Sequence, residues 1–545
     1  MPTLSNENRA SSLRDKTETN YRRLSLLLTP ALVAACSVVS GLDDFSLTSG
    51  AATSGSSGDG PPACPDDPVA HPELVRNDCG LFVSASAAPG GDGTKEKPFN
   101  TFAAAADLGA TRIYACAESY DEAAGLKFSG GAEIFAGFTD CGPTGAWAWG
   151  EASKATLNGA ANEVALTLDG GDYLLRNLNV KAADATTAGA SSIAVVVNKG
   201  KLDVFDGDLT AGAARDGAEG ESPADDPMLN GDDGEQGVGV CMGGADNPGR
   251  TGKTKTCSTG GQSVAGSGGN GGEFMANTLL PAGSGTDGTP ADPEQPTKGK
   301  GGVGQGAGTP AAASCDDGIS GASGASGTSG PGATGAGTIA INGYTGLNGT
   351  EGTSGKPGQG GGGGGGSKGG LSINCAGQTS KRVGASGASG GTGGCGGIGG
   401  GGGQAGGSTI ALLVLDSAVE LSGATLTAGR AGDGGSGGNG QNGGQKGAGG
   451  LAGASAGSAA ASCSGGDGGQ GGLGGPGGGG QGGHSLGIAF QGGTAPVGGT
   501  FQIDTMNKGV GGPGGLSNDA PMNGKGADGM ATNCWDFAKN ASCGG

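Results

Sequence analysis

Gly343-Tyr344-Thr345-Gly346-Leu347-Asn348-Gly349-Thr350-Glu351-Gly352-Thr353-Ser354-Gly355-Lys356-Pro357-Gly358 places a glycine at every third position. The same step runs through Gly318–Gly330, Gly384–Gly402 and Gly465–Gly483. Three residues per turn is the period of an extended polyproline II-type helix, which rises ~3.1 Å per residue and leaves its own N–H and C=O groups unpaired. Those groups must find partners outside their own segment. A face made only of glycine lets a second backbone come close enough to supply them.

Composition agrees that side chains cannot build most of this protein. Of 545 residues 133 are Gly, only 4% are aromatic and 34% are hydrophobic, which excludes an ordinary two-layer globule along the whole length. The apolar residues gather in about 80–215 and in islands at 338–344, 409–428 and 485–505. A net charge of −20 argues against nucleic acid, whose phosphates need a basic surface.

The glycine tracts are either an ordered lattice or a flexible coil. Ordering each glycine costs about 0.5–1 kcal/mol more than ordering alanine. Six disulfides at about 2–4 kcal/mol each do not offset that over a hundred glycines. Backbone hydrogen bonds at about 1 kcal/mol each do, if most residues take part. The regular phase and the cysteines set within the tracts, at 315, 375, 395 and 463, favour order. In this the tracts resemble those of glycine-rich antifreeze proteins and glycine-bundle phage adhesins. Collagen is disfavoured, because Ser, Ala and Gly fill the places where proline should dominate.

The N-terminus reads as a processing signal. Tyr21-Arg22-Arg23 precedes an apolar run, Leu24–Ala35, too short to span a bilayer. It ends in Val33-Ala34-Ala35-Cys36, which resembles the lipobox of bacterial lipoproteins. The resemblance implies a signal peptide over 1–35, lipidation of Cys36 and, with Ser37 following it, an outer-membrane lipid anchor. Residues 36–63 are a Ser/Gly tether.

With Cys36 assigned to lipid, twelve cysteines remain for an oxidising compartment. Near-neighbour pairing joins Cys64 to Cys79, Cys116 to Cys141, Cys241 to Cys257, Cys375 to Cys395 and Cys534 to Cys543, and leaves Cys315 for Cys463. No CxxC pair suggests zinc. No metal and no cofactor is expected.

From Leu81 the texture changes. Leu81-Phe82-Val83-Ser84, Gly90-Gly91-Asp92-Gly93-Thr94, Lys97-Pro98-Phe99-Asn100-Thr101-Phe102 and Arg112-Ile113-Tyr114-Ala115 follow in order. This resembles the opening of right-handed parallel β-helix proteins of the pectate-lyase-like superfamily, over about residues 81–210. The residues themselves point the same way. Short β-prone runs recur at Arg112–Ala115, Ala132–Phe138, Val164–Leu168, Tyr173–Val180, Ile193–Val197 and Leu202–Thr210, with Gly, Asn and Asp between them. Ile113 to Ile134 is one step of 21 residues, and strands stacked at ~4.8 Å would bring Cys116 within reach of Cys141.

An internal repeat ties the two textures together. Residues 192–217 align without a gap to 409–434 with 10 of 26 identities, both passing through Leu-Thr-Ala-Gly into a glycine tract. A degraded third copy runs from Ser485 to Ile503. The expected fold is all-β: a right-handed parallel β-helix whose passes continue through the apolar islands, with long glycine-rich, polyglycine II-like excursions. The divisions are a head at 64–215, a glycine-rich region at 216–530 and a C-terminal disulfide loop at 531–545.

Catalysis has few places to reside. His71 and His484 are the two histidines, both expected in solvated turns, which leaves no Ser-His-Asp or Cys-His site. Asp66-Asp67, Asp225-Asp226 and Asp232-Asp233 lie in loops, and the Asp-Gly steps at Asp216 and Asp433 lack a calcium-loop pattern. Trp147 and Trp149, two apart, offer a glycan contact from one strand face, or else cap the early passes. The expectation is a non-enzymatic outer-surface lipoprotein in adhesion, matrix or surface coating, touching polysaccharide or another cell surface. A polysaccharide lyase or hydrolase and an ice-binding protein are the alternatives.

Overall fold

The computed structural model describes residues 64, 66–240, 242, 246–275, 278–307, 314–370, 383–516 and 524–543. The segments expected to be a signal peptide and a tether, with Cys36, Cys241 and Cys375, lie outside them. The head opens with β1 (Leu81–Val83), α1 (Phe102–Asp107), β2 (Arg112–Cys116), β3 (Ser119–Asp121), β4 (Leu126–Ser129), β5 (Ala132–Thr139) and β6 (Ala148–Trp149). It continues through β7 (Ala155–Asn158), β8 (Val164–Arg176), β9 (Leu178–Lys181), β10 (Ser192–Phe205) and β11 (Asp208–Ala211). Short antiparallel pairs follow: β12 (Thr254–Thr256) with β13 (Gln262–Val264), β14 (Phe274–Met275) with β15 (Thr278–Leu279), and β16 (Thr338–Ala340) with β17 (Gly343–Thr345). The last strands are β18 (Thr409–Ala428), β19 (Ser485–Gly493), β20 (Val497–Ile503), β21 (Ala531–Asp536) and β22 (Ala541–Ser542).

The fold is nearly all-β, built on one large curled parallel sheet in which each pass of the chain stacks on the one before. Ile113 pairs with Ile134, the expected 21-residue step. Val195 lies between Leu166 of β8 and Leu412 of β18, and Leu412 in turn pairs with Ile488 of β19. These side chains form an aliphatic stack that is almost wholly buried. Leu168, Val197, Val414 and Phe490 make a second. The internal repeat is therefore physical adjacency, since Ser192 pairs with Thr409 in the register of the alignment.

What bends the long strands is one left-handed residue at the same level of each pass. Gly130, Gly170, Lys199, Asp416 and Gly492 all have φ between 47° and 86°. A non-glycine residue tolerates that conformation only when its surroundings hold it there. Lys199 and Asp416 are held by paired strands on both sides.

One island departs from expectation. Residues 338–345 form no pass of the sheet but the β16–β17 hairpin, whose Ile339 and Tyr344 pack with Ile193, Val196, Ile410 and Leu413. The reason is burial: each long strand is apolar on both faces here, and the outer face needs a cover. At the C-terminus, β21 adds a parallel partner to β19, while β22 folds back on it beside the Cys534–Cys543 bond.

Between the passes, the glycine tracts run as extended segments bonded to one another through their backbones. The run Gly360–Gly366 shows why it is unbroken glycine. Gly360, Gly363 and Gly366 donate to Thr289, Thr286 and Gly283; Gly361 and Gly364 to Gly391 and Ala388; Gly362 and Gly365 to Ile319 and Asp316. Successive N–H groups thus address three neighbours in rotation, as a three-residue turn requires. Where the step is Gly-x-x, the glycine faces a close backbone: a Cβ at Gly349 would overlap the carbonyl of Gly478.

Four pairings of cysteine agree with the near-neighbour reading: Cys64–Cys79, Cys116–Cys141, Cys315–Cys463 and Cys534–Cys543. Two expected bonds are corrected. Cys257 bonds Cys395, 138 residues on, and neither Cys241–Cys257 nor Cys375–Cys395 forms. Adjacent tracts bring distant sequence within 5.4 Å between Cα atoms, so proximity along the chain is a poor guide inside the lattice.

Candidate functional surface

The side chains able to meet a partner are those at x positions along the edge of the glycine lattice. The tract over 213–240 bonds to that over 430–454, with Gly217, Gly220, Gly231 and Gly234 donating to Asp433, Ser436, Gln445 and Ala448. At this edge several backbone N–H groups are met by short side chains. Asp216 accepts from the Asp433 N–H at 2.7 Å, Ser222 from Asn439 at 2.8 Å, Asn230 from Gln445 at 2.8 Å and Asp233 from Ala448 at 2.8 Å. The next row repeats the device: Asp433 accepts from Val510 and Asn439 from Leu516. Short oxygen acceptors are what fits, because the gap is one hydrogen bond wide.

Glutamine does the same in the interior, where both ends of its amide work. Gln481 accepts from the Leu347 N–H at 3.2 Å and donates to the Gly335 carbonyl at 2.6 Å. Gln359 accepts from Ala322 and donates to Gly288. A glutamine inside a glycine tract is the sequence mark of such a joint.

The resulting face carries rows of small polar side chains, ~9.3 Å apart along a tract. It is also acidic, since residues 213–240 hold eight Asp or Glu against one Arg. A shallow groove of about 450 Å³ lies on it, lined by Asp225, Asp226, Asn230, Asn442 and Gln445. A second regular array of polar side chains runs along one face of the parallel sheet. Thr156, Asn179, Asp208, Thr425 and Thr500 form one row and Asn158, Lys181, Thr210, Thr427 and Gln502 the other, at strand spacing.

The candidate residues fall as follows. Each acidic pair is engaged in folding. Asp67 pairs with Arg176 at 3.0 Å, Asp225 accepts from the Asn442 amide, and Asp226 caps the short turn at Pro227–Leu229. Asp216 and Asp433, in the Asp-Gly steps, are lattice joints. The one cluster of potential metal ligands among the described residues is Cys64, Asp78 and Cys79, whose two sulfurs are bonded to each other. Trp147 is 2% exposed and packs edge-on against Phe82, so it caps the early passes. Trp149 is half-buried with the Arg176 guanidinium over its ring, and a glycan could reach it alone of the two.

His71 is exposed and bonds Glu73, as a turn residue should. His484 is not solvated. It is 1% exposed at the seam between glycine tract and β19, where Tyr344 and Phe537 close over it. Burial lowers its pKa and keeps the ring neutral. Its neighbours along the chain are polar and glycine-rich, but the ring is covered by residues distant in sequence.

No family model matches this chain, and comparison with the curated proteins and with the solved structures returned no match.

Proposed function

We propose that this chain is a non-enzymatic, lipid-anchored surface protein, in which a right-handed parallel β-helix carries a polyglycine II-type slab that acts in adhesion, matrix building or surface coating. The observation that carries the reading is the slab's edge, where rows of small polar side chains are held in fixed register by bonds to neighbouring backbones. Asp216, Ser222, Asn230 and Asp233 have each committed an oxygen to the lattice and cannot reorient freely. A rigid, flat, regularly spaced surface suits extended, repetitive partners such as polysaccharide or another cell's surface. The stacked register, with its left-handed residue at each bend, supports the β-helix. Anchoring at the outer membrane rests on the Val33-Ala34-Ala35-Cys36 motif.

The test is a binding panel of neutral and acidic polysaccharides and whole cells against the purified chain from residue 37 onward. Binding that weakens on substitution of exposed slab-edge side chains, without release of reducing or unsaturated ends, is expected. Steady release of such ends would replace this reading with a lyase or hydrolase. Thermal hysteresis on the same sample would favour ice. For the anchor, Cys36→Ser should abolish acylation and detergent-phase partition, and unchanged membrane association would remove it.

A further inference from the structure

We infer that His484 is the bolt of an acid-sensitive latch that holds β21 at the edge of the sheet beside β19, and the β16–β17 hairpin against the sheet's outer face. The ring joins two separate segments. Its Nε2 lies 2.9 Å from the Ala336 carbonyl, at the entry to the hairpin. Its Nδ1 accepts from the Met530 N–H at 3.0 Å, just before β21. Only the neutral tautomer with the proton on Nε2 satisfies both, since one nitrogen must donate and the other accept. Its backbone is pinned as well, by Ser408 Oγ to its N–H and by the Thr409 N–H to its carbonyl.

Protonation breaks this arrangement from one side. The imidazolium presents a donor at Nδ1 to the Met530 donor, so that bond is lost and a charge is left buried beneath aromatic rings. The surroundings offer little to compensate. From the hairpin, the titratable group facing the ring is the Tyr344 phenol, which burial keeps protonated. From its own tract comes Gln481, an amide, and from the residue before β18 comes the Ser408 hydroxyl. On the C-terminal segment, Asp528 is bonded to the Gly511 N–H and Lys525, and Asp536 to Ala538 and Lys539. No carboxylate among the described residues bonds the ring.

The sign follows from linkage. His484 is held below the ordinary histidine value of 6.5, so the closed form is fully favoured above that pH and loses stability as pH falls beneath it. Opening uncovers the apolar strip of Ile193, Val196, Ile410, Leu413, Leu486 and Ala489.

The experiment is amide exchange on the whole chain between pH 7.5 and 5, corrected for intrinsic rates, with Trp535 fluorescence as a second readout. Protection across 530–536 and 338–345 should fall by up to about tenfold per pH unit, the limit for one proton, while amides in the Gly360–Gly366 run stay protected. His484→Gln, whose amide can accept from Met530 and donate to Ala336 but cannot titrate, should remain closed at every pH in this range. Opening of His484→Gln with the wild-type midpoint would overturn the latch. Should that variant fail to fold, ring resonances of His484 followed in a His71→Ala background decide. A ring that titrates with no change in the 530–536 amides would equally overturn it.

Discussion

Strand β18 and the tract that follows it are continuous in sequence yet solid for opposite reasons. Through Leu412, Val414 and Leu426 the chain is held by what its side chains bury. A few residues past Ala428 it is held by what its backbone reaches, because Gly432, Gly435 and Gly438 donate to Gly407, Gln404 and Gly401. In the sheet, side-chain volume is the stabilising quantity and its loss leaves a cavity. In the slab, side-chain volume at the glycines is the destabilising quantity, because its presence drives backbones apart.

The sharpest way to test this difference is the cross-link each region needs. Removing the Cys257–Cys395 bond, which closes a separation of 138 residues, should cost about 5 kcal/mol on the chain-entropy view. Removing Cys116–Cys141, with a separation of 25, should cost about 3.5 kcal/mol. Denaturant unfolding of the paired Cys→Ala variants measures both. Peptide mapping without reductant should also recover Cys257 joined to Cys395, and recovery of Cys375–Cys395 would undo the lattice register itself.

Next come the reciprocal volume changes. Gly349→Val should cost about 3 kcal/mol or more, since the new side chain meets the Gly478 backbone and not a flexible end. Leu412→Ala should cost about 2–5 kcal/mol by cavity formation. Exchange read by region should show the first variant opening the slab and the second the sheet. If each opened both regions alike, the two would be one cooperative unit.

Acid separates them more gently. Lys446 and the Gly449 N–H hold the Asp467 carboxyl below 3.8, Lys300 and the Gly301 N–H do so for Asp287, and the Gly511 N–H and Lys525 for Asp528. Carboxyls depressed in the folded state stabilise it above their free value, and that contribution is lost as pH falls through the depressed one. Below about pH 3.8 the slab's edge amides at 301, 449 and 511 should therefore lose protection before the aliphatic stacks do. Simultaneous loss would break the distinction. The smallest effect expected is from Thr350→Val, at an exposed x position, within about 0.5 kcal/mol of wild type by thermal unfolding.

Much of the sheet was legible from residue types, because alternation and β-branched runs at Arg112–Ala115, Ile193–Val197 and Leu202–Thr210 report directly on which side chains are buried. The flat edge surface was half legible. The period of three showed that neighbours must exist, while the roles of Asp216, Asn230 and Gln481 as backbone substitutes depend on which tract lies beside them. His484 and the Ile339 hairpin are not legible locally for a related reason, since their cover comes from Phe537 and from the sheet's outer face.

By itself the sequence determined that donors along each tract point in three directions, that aliphatic islands stack, and that 192–217 and 409–434 are equivalent. Only the tertiary structure decided which tract lies against which, how Cys257 and Cys395 meet, and what lies over His484. The physical reason is that a glycine face carries no side chain by which to specify a neighbour. One backbone is as good a partner as another, so the choice passes to the stacked strands, whose register the tracts inherit where they leave the sheet.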